Sequence, residues 1–141
     1  MKDYLSNVSL IDLVSEKQQE LRVKIVNIGE ERWGESVTQS ESNMLAVIEK
    51  ENMTIAEAAR KINVSRQAAH KCVQGLITRG YINTTSIEGN QRNKLIVLTD
   101  KGKKYCNEMI VIKREVEEEI EESIGKANIE LLRQCLNSKW F

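Results

Sequence analysis

The sequence predicts a mainly α chain with one small β-hairpin, an α+β fold in which long helices at both ends flank a compact middle. Three observations carry this. Apolar residues recur at spacings of three and four near both termini, the period of an amphipathic helix. Between them, two short stretches each open on a capping residue and are separated by a turn at Asn63-Val64. After Arg79 the period changes, and two β-branched runs, Tyr81–Ile87 and Lys94–Leu98, enclose the polar stretch Glu88-Gly89-Asn90-Gln91-Arg92-Asn93, the pattern of a hairpin.

The middle is the most informative part. Thr54 is suited to cap a helix, and Glu57 three residues later completes a capping box. Ile55, Ala58, Ala59 and Ile62 form one apolar face. Ser65 caps a second helix, whose inward stripe is Ala69, Cys72, Val73 and Leu76 and which Gly80 ends. Ala58 and Ala69 are small enough for the two helices to cross closely. The second helix turns Arg66, Gln67, His70, Lys71 and Gln74 outward. These side chains suit base edges and phosphates: Arg matches guanine, Gln matches adenine, and Lys neutralises phosphate. The whole reads as a helix-turn-helix followed by a wing, with 88–93 as the wing tip. Arg92 is placed to reach a minor groove. The candidate DNA contacts are Ser65, Arg66, Gln67, Ala68, His70, Lys71, Gln74, Arg92 and Lys94.

Charge agrees with that reading. The 141-residue chain is formally neutral, yet Arg60–Lys104 holds ten bases against two acids, a net of +8, and the remainder is −8. A basic segment that coincides with the helix-turn-helix is the footprint of a polyanion partner. A wing that bound only protein, the alternative reading, has no reason to be so basic.

In chain order, Val8, Ile11, Val14, Gln18, Leu21, Ile25 and Ile28 predict a helix over 3–28, widened by Leu10, Leu13 and Val26. The stripe is longer than a small winged domain needs, and it reads as a dimerisation arm that also packs on its own domain. Gly29–Gln39 reads as a loop with Trp33 its one large apolar group, which plugs a core or lines a crevice. Ser40 is expected to cap the next helix, with Met44, Leu45, Val47 and Ile48 as its buried face. Thr99 caps a helix that runs to about Ser123, with Tyr105, Met109, Ile112, Val116, Ile120 and Ile124 inward and a run of glutamates from Glu115 to Glu122 read as a solvated face. Gly125 breaks it, and Ile129, Leu132, Cys135, Leu136 and Trp140 form a last amphipathic helix. The expected organisation is a dimerisation helix over 1–30, a winged region over 38–100 and dimerisation helices over 101–141, in one continuous domain.

Several classes are disfavoured. No apolar run approaches the ~18–20 residues of a membrane span, and Met1-Lys2-Asp3-Tyr4 leads into no signal-type core, so a cytoplasmic protein without a membrane partner is expected. Cys72, Cys106 and Cys135 are far apart, form no CxxC pair, and read as buried thiols rather than metal ligands or a disulfide framework. The only histidine is His70. Without a P-loop, a dinucleotide fingerprint or metal-ligand spacing, no enzyme, cofactor or metal is expected.

Three patches of the middle resemble the MarR family of winged-helix transcriptional regulators: Ile55-Ala56-Glu57-Ala58-Ala59, Val64-Ser65-Arg66-Gln67-Ala68-Ala69 on through Leu76-Ile77-Thr78-Arg79-Gly80-Tyr81-Ile82, and Leu98-Thr99-Asp100-Lys101-Gly102. The last, L-T-x-K-G directly after a wing, is the most specific. The family's wing carries Asp-x-Arg; Arg92 matches the arginine and Asn90 stands at the aspartate. Gly75 also departs from the pattern, as a mid-helix glycine that permits close packing or a softer helix end. No cysteine lies in the first helix, where peroxide-sensing members carry theirs. The resemblance implies a homodimer on a pseudo-palindromic operator, a repressor by expectation. It also implies release by a small-molecule effector in a crevice between dimer helices and winged domain, where Trp33, Met44 and Tyr105 are the candidate lining residues.

Overall fold

The computed structural model describes residues 8–87 and 90–141, with the backbone alone for 87 and 90–93. The chain forms α1 (Leu10–Trp33), α2 (Gln39–Lys50), β1 (Met53–Thr54), α3 (Ile55–Lys61), α4 (Arg66–Thr78), β2 (Ile82–Ile87), β3 (Asn90–Leu98), α5 (Asp100–Ile124) and α6 (Lys126–Asn137). It divides into two compact units, one of residues 1–34 and 111–141, the other of residues 35–110.

In the 35–110 unit the helix starts follow local capping. Thr38, not Ser40, caps α2: its hydroxyl accepts from Glu41 N, and the Glu41 carboxylate returns the bond to Thr38 N. Ser40 falls inside the helix because the reciprocal pair two residues earlier satisfies two orphan N–H groups at once. At α3 only half of the expected box forms: Thr54 Oγ1 accepts from Glu57 N, while the Glu57 carboxylate turns to the Thr54 hydroxyl. Ser65 Oγ accepts from Ala68 N and starts α4. The turn between α3 and α4 places Asn63 at φ 57°, a left-handed conformation Asn tolerates. Ala58 and Ala69 are both fully buried at the crossing.

The sheet is antiparallel in the order β1-β3-β2, so the expected hairpin gains a third strand. Met53 and Thr54 pair with Ile96 and Leu95. Two residues are too few for a periodic signal, and pairing with β3 is what makes them a strand. The stretch read as the wing tip shortens, because the backbone of 90–93 already belongs to β3. The register shifts between Ser86, opposite Lys94, and Ile87, opposite Asn90, a bulge that absorbs the extra residues. Glu88 and Gly89 lie outside the described residues. Beneath the sheet the core is Met44, Leu45, Ile48, Val73, Leu76, Tyr81, Ile82 and Ile96, all essentially without exposure.

The other unit differs from expectation at α1. Ser9 caps it by accepting from Asp12 N, so Val8 and Ser9 precede the helix; the predicted turn from Asp3 to Asn7 lies outside the described residues. The helix also runs through Gly29, expected in a loop, to Trp33. Gly29 is buried on the helix's packed face, whereas Gly34, at φ 85°, takes the left-handed conformation that stops it. Within this unit Lys24 pairs with Glu119, Arg32 with Glu115 and Arg133 with Glu117, so part of the glutamate run read as merely solvated holds ion pairs. The Arg32 hydrogen bond keeps the Glu115 carboxyl below its ordinary range. Trp140 lies beyond the end of α6, its indole donating to the Cys135 carbonyl.

Among the described residues, twelve of thirteen exposed large hydrophobic residues belong to this unit, including Ile11, Val23, Leu131 and Leu136. Leu21, Ile25, Val116, Ile120, Ile129 and Leu132 line an open groove of about 700 Å³.

Candidate nucleic-acid interface

Helix α4 has two chemically distinct faces. Ala69, Val73 and Leu76 are buried, and that stripe fixes the rotation of the helix. Ser65, Arg66, Gln67, Ala68, His70, Lys71 and Gln74 are consequently all exposed. Their outward direction follows from the 3.6-residue period and the buried stripe.

The sheet supplies a second wall. Arg66, His70 and Gln74 share a cleft of about 400 Å³ with Thr54, Ala56, Thr84 and Lys94. The geometry thus gathers four of the sequence-predicted contacts, Arg66, His70, Gln74 and Lys94, across one concave surface; Ser65, Gln67, Ala68 and Lys71 continue the exposed surface of the same helix and its cap. Thr54 and Thr84 were missed by the sequence reading, because hydroxyls on strands carry no spacing signal. Arg92 lies in β3, and its side chain lies outside the described residues.

At the C-terminal end of α4 the structure assembles a polar cluster that sequence spacing did not reveal. Lys101 Nζ donates to the Arg79 carbonyl at 2.8 Å and to Glu35 at 2.9 Å. The Glu35 carboxylate also accepts from the Tyr81 hydroxyl. Arg79 reaches the Glu41 carboxylate at 3.1 and 3.3 Å and the Ser36 carbonyl. Both Lys101 and Arg79 stand over the Tyr81 ring. The Tyr81 hydroxyl first, and then Lys101, hold the Glu35 carboxyl below its ordinary range. Two of the ten bases in the basic segment are therefore satisfied internally by acids that lie before it in sequence. The L-T-x-K-G stretch gains a physical account here. Thr99 Oγ1 donates to the Gly80 carbonyl and accepts from Gly102 N, Lys101 caps α4, and Gly102 lies so close to the Tyr81 carbonyl that no side chain fits.

Of the ligand candidates, Met44 is fully enclosed and Tyr105 is 5% exposed, with the Tyr105 hydroxyl donating to Ser42 Oγ. Burial raises the Tyr105 hydroxyl above its ordinary range. Trp33 is half-buried at the end of α1, in the other unit. The thiols are less uniform than expected: Cys106 is buried, Cys72 half-buried and Cys135 exposed. Cys135 falls on a face of α6 that is left exposed among the described residues. Burial, reinforced by the Glu41 carboxylate, pushes the Cys72 thiol up to about 11, so it is protonated and unreactive at neutral pH. Among the described residues no group of His, Cys, Asp and Glu is arranged to hold a metal, and no helix is long and apolar enough to cross a membrane.

A capped two-helix crossing, a polar exposed second helix and a three-stranded sheet beside it define a winged helix-turn-helix, the architecture of DNA-binding transcription regulators. A MarR family model matches residues 36–92. The HTH-type transcriptional regulator TcaR of Staphylococcus aureus is 29% identical over 102 residues, covering 71% of this chain and 68% of that protein. Two solved structures share the fold at 17% identity. MepR, a transcription regulator of the S. aureus multidrug efflux pump MepA, superposes with a TM-score of 0.73 over 92% of this chain and 94% of its own. The apo form of MarR from E. coli gives 0.75 over 92% and 95%. The middle of the chain is thus similar to the MarR family over residues 36–92, and TcaR, to which 71% of the chain aligns, is a transcriptional regulator.

Proposed function

We propose that the chain acts as a homodimer that seats α4 in the major groove of each half of a pseudo-palindromic operator and represses transcription from it. The observation that carries this is the exposed face of α4: Arg66, Gln67, His70, Lys71 and Gln74 project from a helix whose opposite stripe is locked into the core, and Lys94 faces them across the cleft. The exposed leucines, isoleucines and valines of α1 and α6 support dimerisation, because contiguous apolar surface on a regulator marks an interface. Two copies place two recognition helices about one DNA turn apart. Arg92 and Lys94 are assigned to the wing's contacts. Release by a small molecule belongs to the same reading; Met44 and Tyr105 are so enclosed that an effector touching them must part α2 from α5. The protein acts where the chromosome is, in the cytoplasm, and carries out no chemistry of its own.

The test is a gel shift with duplex recovered by selection from a random-sequence pool, compared with unselected DNA. A bidentate Arg–guanine contact is worth ~1–3 kcal/mol of discrimination, so Arg66→Ala should weaken binding to selected duplex far more than to random duplex. Equal loss on both would reduce Arg66 to a phosphate contact. No shift with either duplex would favour the protein-binding alternative.

A further inference from the structure

We propose that Lys101, held by Glu35, latches the C-terminal end of α4 and so sets how the helix sits in the groove, which makes Lys101 a positioning residue for sequence discrimination although it touches no base. The proposal rests on the assignment of α4 as the recognition helix.

The argument begins at the helix end. The last carbonyls of a helix lack internal partners and carry partial negative charge. At α4 the Arg79 carbonyl receives the Lys101 ammonium at 2.8 Å and the Gly80 carbonyl receives the Thr99 hydroxyl. Both donors sit at the start of α5. Glu35, on the segment leading into α2, fixes that ammonium from the other side at 2.9 Å and takes the Tyr81 hydroxyl as well. Arg79 extends the tie to Glu41 and Ser36. Two separate stretches of chain, residues 35–41 and 99–101, therefore converge on one end of α4. The start of α4 has its own Ser65 cap, and the hydrogen bonds of the α3–α4 turn stop short of α4 itself.

The buried stripe of Ala69, Val73 and Leu76 is apolar and non-directional, whereas the directional polar ties gather at the C-terminal end. A helix rocking on that stripe therefore uses this end as the base of a lever. Arg66 lies thirteen residues before Arg79, roughly 20 Å along the axis at 1.5 Å per residue. A tilt of about 5° at the anchored end moves Arg66 by roughly 1.7 Å over that lever arm. A bidentate base contact does not survive such a shift, since hydrogen-bond distances span only about half an ångström. A flexible lysine on a phosphate follows it easily. Loosening the latch should thus erode discrimination and leave non-specific affinity in place. Lys101 and Glu35 are each more than a third exposed, and exposed pairs contribute little to global stability, so the effect on DNA can be separated from unfolding.

The test uses the full-length protein with the selected and random duplexes described above. Lys101→Met should reduce affinity for the selected duplex by about tenfold, the worth of one bidentate contact, with random-DNA affinity, salt slope and thermal midpoint retained. Lys101→Arg, which restores a cation at the carbonyl, should recover most of the loss. An equal reduction on both duplexes with a shallower salt slope would make Lys101 a phosphate contact and overturn the proposal. So would an unchanged ratio of the two affinities. Should Lys101→Met not fold, Glu35→Gln, which keeps the Lys101–Arg79 bond but removes its counter-charge, is read in the same way, with a smaller fall in the ratio expected and an unchanged ratio again overturning the latch. Wild-type protein without any preference would refute the operator assignment and the latch with it, whereas wild-type preference with unaffected variants refutes the latch alone.

Discussion

The same change, glycine to alanine, should have opposite signs at two positions. A Cβ on Gly102 overlaps the Tyr81 carbonyl oxygen, well inside the 3.0 Å limit of real contacts, and stands 3.1 Å from Leu98 Cδ2 and 3.3 Å from the Tyr81 carbonyl carbon. The opposing atoms are mostly backbone and cannot rotate away. The start of α5 must then back off from Tyr81, loosening the Thr99 N–Tyr81 O bond now at 3.0 Å. Overpacking of a close contact costs ~1–3 kcal/mol, and the weakened hydrogen bond adds ~1 kcal/mol. Gly102→Ala should therefore destabilise by about 2–4 kcal/mol, less a few tenths regained from helix propensity. A Cβ on Gly75 meets only Glu41 Oε2 at 3.8 Å, ordinary contact, so close packing does not explain that glycine. Gly75→Ala should stabilise by about 0.5–1 kcal/mol. Urea titrations of both variants at one fixed protein concentration measure the two effects. Gly102→Ala at wild-type stability would refute the close-approach account of L-T-x-K-G, and a destabilised Gly75→Ala would show that α4 uses the glycine's flexibility.

Other outcomes follow from the same structure. Sedimentation at micromolar concentration should give a dimer, and Leu131→Glu with Leu136→Glu on α6 should shift it toward monomer; unchanged dimerisation would place the interface elsewhere. If each half of the dimer neutralises a few phosphates, log affinity against log salt should fall with a slope of roughly −5 to −9, and a slope near zero would turn the basic segment away from DNA. Because its pKa is lowered in the fold, Glu35 contributes stability that is fully present above its ordinary value of 4.5 and is lost as pH falls through the lower folded value. The stability gap between wild type and Glu35→Gln should accordingly narrow below about pH 4.5, and a gap that widens there would contradict the hydrogen-bonded carboxylate. Alkylation of native protein at neutral pH should mark Cys135 well before Cys72, whose thiol is held at about 11; the reverse order would show that α4 opens readily.

Local chemistry was legible where it acts over three or four residues. The caps Thr54 and Ser65, the inward stripe of Ala69, Val73 and Leu76, the exposed face from Arg66 to Gln74 and the turn at Asn63 all follow from periodicity and side-chain hydrogen bonding along one stretch of chain. Where two local signals competed, tertiary packing decided. Gly29 could end a helix as well as Gly34, but a buried face kept α1 running past the first. Ser40 could cap α2, but the Thr38–Glu41 pair satisfies more of its backbone. Elements defined by distant partners carried no local mark. Met53-Thr54 is a strand only because β3 lies beside it. Arg79 and Lys101 looked like two more phosphate-binding cations until the fold set them against Glu35 and Glu41, dozens of residues away. Sequence alone thus determined which face of α4 is polar, since helix period and burial suffice for that. Only the tertiary structure decided what holds the far end of that helix, because an ion pair between residues 35 and 101 exists only after the intervening chain has folded.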